Sequence, residues 1–375
     1  MTTSTASATE TILQATSAAV RGVDEIRQEY NVPALAVGHV KDGNVNTTAT
    51  DVRKQGDPTP VQEDDVFHLG GGTMALTAVL TALLLEQSLW NWSTTLADAF
   101  GASNLHPSHH KTTVGMLLTH RTGLMSGQSS DDYGEWWDSF LNGNATATEL
   151  RRQFVLEILA EAPAGEPGEW SDLSLVDYMV LGVLLEEATG DSWEDLMQRL
   201  FDELAMPGCG FGVQPQSSRS AVENPWPHEA PRTENADPAP VVFDALDSDN
   251  PAALWPANGV HCTMSSYAAF LQFHLDGYWG RPTPLLSSES FTQLRSYPTN
   301  PDYTYAALYY HVSPSNGTGM FMSGTHAHNS ARAWLLLEQD EAFMAFTNVG
   351  RAAGRNATWA ALFGAAGYST PPEDV

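Results

Sequence analysis

Strand-like segments of this chain lie near its two ends, and helical periodicity fills the middle. Near the start, Thr11 to Tyr30 carries apolar residues at helical spacing and stops before Asn31-Val32-Pro33. ALAVGHVKDGNVNTTATDV then reads as two strands turning at Asp42-Gly43. Near the end, YAALYYHV, ARAWLLLE and AFMAFTNVG read as consecutive antiparallel strands, and NATWAALFGAAG as a closing helix. Between them, Thr73 to Leu89, GMLLTHRTGL (115–124, ending at a glycine), LVDYMVLGVLLEEATG (175–190, capped at Gly190) and SSYAAFLQFHLDG (265–277) are helical. This order predicts an α/β chain of the α+β kind, with one antiparallel sheet completed by both termini (1–65 plus 285–375) and a mostly helical domain inserted between them (66–284). Residues 214–256, rich in Pro, Ser, Asn and Asp and without a period, predict a long irregular excursion over the surface or across a pocket mouth.

With 375 residues, 42% of them hydrophobic, the chain can bury a sizeable core as one large domain or two interleaved ones. The formal charge of -28 comes from 45 acidic against 17 basic residues, and Lys41, Lys54 and Lys111 are the only lysines. A surface this acidic repels nucleic acid and anionic membranes, and no basic stripe offsets it. It also repels itself, except where concentrated salt shortens the screening length to ~3 Å at ~1 M; we read an adaptation to salt, as in a halophile's cytoplasm. Cys209 and Cys262 are too few for a disulfide framework; spacing does not decide whether they bridge, and buried free thiols are the simpler reading. The N-terminus MTTSTASATETILQ has no basic or apolar leader pattern and no run reaches ~18 apolar residues, so a soluble cytoplasmic protein is expected.

The helix at Thr73 opens on Gly70-Gly71-Gly72, although glycine costs a helix about 0.5–1 kcal/mol relative to alanine. A phosphate-binding loop is excluded, because no Gly-Lys-Ser/Thr follows and no parallel strand precedes. FHLGGGTMALTA is similar to F-R-I-G-S-x-T-K-x-x-T-A, and TTVGMLLTHRTGL to L-L-T-H-x-S-G-L. PGEWSDLSLVDYMVLGVLLEEATG is similar to P-G-x-x-x-x-Y-S-N-x-x-Y-x-L-L-G-x-I-I-E-x-x-T-G; NPWPHE and PANGVHCTMSSYAAFLQFHL also have counterparts. In this order the five segments resemble the serine β-lactamase and penicillin-binding-protein superfamily, specifically its class C-like esterases and D-aminopeptidases. The resemblance runs from the first helix to TNVG (347–350) and implies a β-lactamase/transpeptidase-like fold without an organic cofactor.

That family's chemistry uses a Ser and a Lys one helical turn apart, a Tyr from a Y-x-N loop, a K-T-G or H-x-G strand and backbone N–H groups around the oxyanion. By the resemblance, Gly71 stands at the nucleophile position and Met74 at the lysine position. Leu173 and Leu175 take the Tyr and Asn positions, and Ser323-Gly324-Thr325 stands at the third motif, with a register shift to His326 left open. A buried amine without its partner costs about 3–5 kcal/mol, so apolar replacements are what relaxed selection leaves once catalysis is lost.

Gly70, Gly72, Thr73, His326 and His328 are further candidates for the cleft lining. Thr73 falls on another helix face from Gly71, and Ser171, Ser174 and Ser323 are hydroxyls without an assured base. His326 and His328, two apart in a strand, would share a face and suit a metal or a base; a third ligand such as His311 or His261 has no recognisable spacing, so no metal is expected. His109-His110 reads as a solvated turn and His120 as a structural position. The uncovered N–H groups of the helix start still favour an anion.

The expectation is a pseudoenzyme binding a small molecule, a peptide or a protein partner in the ancestral cleft. The alternative is an active amide or ester hydrolase with a noncanonical nucleophile or a His-based site. The charge reading carries its own test: the melting temperature should rise from millimolar to molar KCl, and a melting temperature that does not change or falls overturns it.

Overall fold

The computed structural model describes residues 22–367 apart from 88–89, 170, 232–235, 243–247, 284, 297–304, 307–308 and 313–318. The predicted helix start at Thr11 lies outside these residues; helix α1 is described over 22–29. It leads into β1 (Ala34–Lys41) and β2 (Asn44–Asp51), joined by Asp42 (φ 51°) and Gly43 (φ 73°), whose paired left-handed conformations suit a two-residue hairpin. β3 (Val66–His68) follows, then the glycines as one 3₁₀ turn, then α2 (Thr73–Gln87). The helical middle contains α3 (Ala147–Ala160), α4 (Leu175–Thr189, closed by left-handed Gly190) and α5 (Trp193–Glu203). Then come β4 (Cys209–Phe211), β5 (Val260–Thr263) and α6 (Met264–Trp279). The chain returns through β6 (Tyr305–Ala306), β7 (Tyr309–Val312), β8 (Gly319–Thr325), β9 (Ser330–Leu336), β10 (Glu341–Thr347) and α7 (Arg351–Ala365).

The seven long-sheet strands lie in the order β2-β1-β10-β9-β8-β7-β6, every neighbour antiparallel, so the two ends of the chain meet where β1 pairs β10. Both faces of this sheet are covered, which explains why AFMAF carries no polar alternation. Leu35, Val37, Phe343 and Ala345 face α7 and α1, while Ala34, Ala36, Met344 and Phe346 face the core built around α2 and α6. A second sheet, β3-β5-β4, carries the glycine turn at the end of β3. No described helix is long and apolar enough to cross a membrane.

Two expectations are corrected. The helix read over 115–124 covers only Val114–Leu118. It closes at His120 (φ 53°), with His120 N–H donating to Leu117 O (3.2 Å) and Arg121 N–H to Met116 O (2.8 Å), a Schellman pattern centred four residues ahead of Leu124. Cys209 and Cys262 are not free thiols but a disulfide, because β4 and β5 place them opposite each other across 53 residues of sequence. The excursion is irregular where described, apart from a two-residue pairing of His228–Glu229 with Ala239–Pro240, a 3₁₀ turn at Ala252–Leu254 and a last helical turn at Trp255–Asn258.

The glycine turn is pressed onto β8 by backbone alone. A Cβ on Gly324 would lie 1.8 Å from Leu69 O and 2.5 Å from Gly72 N, and one on Gly70 (φ 56°) would lie 2.9 Å from the Thr325 backbone. Gly71 differs: its φ is not positive, and a Cβ there would meet the flexible tip of Met74 at 3.2 Å, with the β8 backbone no nearer than Ser323 O at 3.7 Å and Gly324 Cα at 3.9 Å. Gly324→Ala should therefore cost at least about 3 kcal/mol in urea unfolding, whereas Gly71→Ala should stay within about 1 kcal/mol of the parent. Equal effects of the two substitutions would contradict this seating.

Candidate active-site cleft

A cleft of about 710 Å³ opens between β8, the head of α2 and the loop before α4. It brings together Gly71, Met74, Leu173, Leu175, Ser323, Thr325 and His326, residues spread over 256 positions of the sequence. Leu175 begins α4, whose N-cap Ser174 accepts from Asp177 N–H and donates to Met125 O (2.6 Å). The loop before it is held by the short helix end described above: Ser174 N–H donates to His120 Nδ1 (3.2 Å) and Ser171 Oγ donates to Thr119 O (3.0 Å). Both serines and His120 thus serve the loop's shape. His109, buried against Glu161 O (3.0 Å), and His110, on Ala102 O (3.0 Å), also make local backbone contacts.

Four expected lining residues fall outside the cleft. Gly70 and Gly72 are buried, Gly70 beneath Thr325. Thr73 is buried, its Oγ1 donating to Gly70 O (2.8 Å) and accepting from Gly259 N (3.2 Å) and Val260 N (3.0 Å), a brace between helix and β5. His328 is buried, and its carbonyl accepts from His228 N–H (3.3 Å). His326 and His328 lie in the turn between β8 and β9 rather than in a strand, and it is this turn that brings their rings edge-on, with centroids 5.6 Å apart. Among the described residues no group of three His, Cys, Asp or Glu is arranged to hold a metal. His261 commits Nδ1 to Gly212 O (2.9 Å), and the His311 side chain lies outside the described residues.

The helix start is less open to an anion than its sequence suggests. Gly70 N–H donates to His68 Nδ1 (2.9 Å), Gly72 N–H to Leu69 O (3.0 Å), and Thr73 N–H to the carbonyls of Gly70 and Gly71. Positive charge comes instead from residues the sequence reading missed. Arg332 stands directly opposite Ser323 in the β8–β9 register, donates to Ser323 Oγ, and lies 4.1 Å over the Trp359 ring. Arg351 and Arg355, exposed in the first turns of α7, line the same cleft. Arginine there opposes the helix dipole, a local cost that was the available sequence signal. Arg332 was visible only through strand register.

His68 was also missed. Its Nδ1 accepts from Gly70, so Nε2 carries the proton, 3.1 Å from Asp249 Oδ1; His326 Nε2 lies 3.5 Å from the same oxygen. Burial works to raise the Asp249 carboxyl, but the His68 and His326 rings outweigh it and hold the group below the usual carboxylate range. Burial pushes His326 down to about 3, against the Asp249 charge. It is neutral at pH 7.

The Beta-lactamase family profile matches residues 19–366, and the chain belongs to that family. It is 27% identical over 277 residues to "Penicillin-binding protein 4" of Amycolatopsis lactamdurans, spanning 72% of this chain and 67% of that one. It is 25% identical over 196 residues to "Unguisins hydrolase ungD" of Aspergillus violaceofuscus, spanning 50% of this chain and only 33% of that protein. Among solved structures, a class C beta lactamase from Rhodobacter sphaeroides superposes with a TM-score of 0.71 at 17% identity, covering 92% of this chain and 99% of that one. The octameric penicillin-binding protein homologue from Pyrococcus abyssi gives 0.73 at 18% identity, covering 96% and 79%. The fold expected from the motif order is therefore the observed one.

Burial pushes His228 and His261 down to about 4, and His274 and His326 to about 3, from an ordinary 6.5. The unfolded chain binds protons that the folded one excludes, so stability is complete above pH 6.5 and is lost as pH falls towards 4. Each ring removes about 2 kcal/mol by pH 5, and four of them rival a whole domain's stability of about 5–15 kcal/mol. In molar KCl the melting temperature should drop by at least about 10 °C from pH 7 to pH 5. A flat profile would show that these rings are not held neutral.

Proposed function

We propose that this Beta-lactamase family member has lost serine hydrolysis and binds a small molecule or peptide bearing a negative group in the family's cleft. The observation that carries the reading is Gly71. It stands at the cleft end of α2, in a backbone conformation any residue adopts and with room for a side chain, and it supplies no oxygen to attack a carbonyl. Met74, buried one turn later, supplies no amine, and Leu173 at the opposite wall supplies no hydroxyl. The glycine is not required by geometry, so its presence reflects the absence of a need for the hydroxyl. Among the hydroxyls that remain, Ser323 accepts a charged donor, which favours an oriented, protonated oxygen over a nucleophile. Arg332, Arg351 and Arg355 give an acidic chain a locally positive cleft, with Trp359 and Phe321 as its apolar wall. That combination suits a carboxylate on an apolar body.

Labelling tests the reading. In molar KCl, a fluorophosphonate and a fluorescent penicillin should leave no covalent adduct, and a chromogenic ester and cephalosporin should not turn over. An adduct mapped to Ser323, or to Ser129 or Ser130, which also line the cleft, would overturn it in favour of a hydrolase with a displaced nucleophile. Binding is tested with N-acyl amino acids and their methyl esters: a saturating acid should raise the melting temperature by about 3 °C, the ester should not, and Arg332→Gln should remove the effect. Gly71→Ser with Met74→Lys and Leu173→Tyr should fold, since the first change fits the space present.

A further inference from the structure

Cys209 and Cys262 are the only cysteines in the chain, and their bond brackets the excursion that forms part of the cleft wall. β4 is only three residues long and half-buried. It leaves its sheet at Gly212, whose N–H donates to Gly259 O (2.8 Å) and whose carbonyl accepts from His261 Nδ1 (2.9 Å). A Cβ on Gly212 would lie 3.5 Å from Asp249 Oδ2 and 3.2 Å from the Trp255 ring, so this turn of β4 backs directly onto the end of the excursion. Asp249 then reaches His68 and His326, and the next residue, Asn250, lines the cleft. Contacts run without a break from the disulfide through Gly212 to the wall. The following stretch is fastened separately: Arg151, buried and paired with Glu186 and Glu194, donates to Ala252 O (3.0 Å) and Ala253 O (2.9 Å), and Thr77 Oγ1 donates to Pro256 O (2.7 Å).

We propose that the Cys209–Cys262 bond is a redox-sensitive staple for the cleft wall. Intact, it holds β4 and, through Gly212, residues 248–251 in place; reduced, it releases them while the seven-stranded sheet stays folded. A dithiol reductant attacks at Cys209, the half-buried residue of the pair where Cys262 is fully buried, and forms a mixed disulfide; its second thiol then closes on the first. The S–S bond breaks with the Cys262 thiolate leaving in the first step and the Cys209 thiolate in the second; the dithiol is oxidised to its disulfide, and its two electrons and two protons pass to Cys209 and Cys262, which end as thiols. The loop closed by the bond spans the excursion, whose described residues have little secondary structure of their own, so closing it lowers the conformational entropy that reduction would restore. The device regulates the cleft of the proposed function and draws its meaning from that reading, but its structural effect is measurable without any ligand.

The test uses the full chain in molar KCl with dithiothreitol as the reductant. Alkylation followed by mass spectrometry should find no free thiol in the protein as isolated and two after reduction. Hydrogen exchange at residues 209–212 and 248–251 should then rise by about tenfold or more, with β1 and β10 unchanged, and the melting temperature should fall by about 5 °C. The Cys209→Ala/Cys262→Ala variant should reproduce the pattern without reductant. Unchanged exchange after confirmed reduction, loss of protection across the whole sheet, or two thiols in the protein as isolated would each overturn the staple. None of these readouts depends on ligand binding or labelling, so a failure of the cleft reading is separable from a failure of this one.

Discussion

The cleft depends on a contact between two backbones. Gly324 of β8 lies so close to Leu69 O and Gly72 N that no side chain fits between them, and Gly70 meets Thr325 in the same way. On the other side, Leu69 N–H donates to Val260 O (2.8 Å) and Thr73 Oγ1 braces the Gly259 and Val260 amides. The first turn of α2 is thereby clamped between the two sheets. Residues 73–82 of α2 are all buried, so the helix has no room to slide. None of these contacts uses the side chain of residue 71 or 74. The cleft's shape is therefore independent of the side chains at these two positions.

Electrostatics inside the molecule runs against its composition. The chain carries 45 acidic and 17 basic residues, yet three arginines converge on one cleft, and behind that cleft the His68 and His326 rings flank one buried carboxylate, Asp249. Excess negative charge on the exterior is screened by salt, while the interior pairings are shielded from it. The two populations therefore respond to different conditions: the surface to ionic strength, the buried histidines to acid.

The fold was largely legible because its strands and long helices announce themselves by local periodicity. β1, β2, β9, β10, α2, α4 and α6 lie where apolar spacing and glycine or turn signals place them. The short helix at 114–118 was over-extended because its terminator is His120 in a left-handed conformation, a role usually marked by glycine and here sustained by burial and contact with Ser174. Motif order placed Gly71, Met74, Leu173, Leu175, Ser323, Thr325 and His326, and these line one cleft. Thr73 and His328 were misplaced because spacing along a chain says which residues are near in sequence, not which face a neighbouring strand or turn covers.

Sequence by itself determined the secondary-structure order, the fold and the acidic composition, since each of these follows from local pattern or from residue type. Tertiary structure decided what is non-local: the Cys209–Cys262 bond, the Arg332–Ser323 register, and the His68–Asp249–His326 contact. It also gave the three glycines separate meanings. Gly70 is required by a positive φ and a backbone 2.9 Å away, Gly72 sits in ordinary contact, and Gly71 has space its side chain does not use. That distinction rests on steric distances across a fold, which a triplet of identical letters cannot carry.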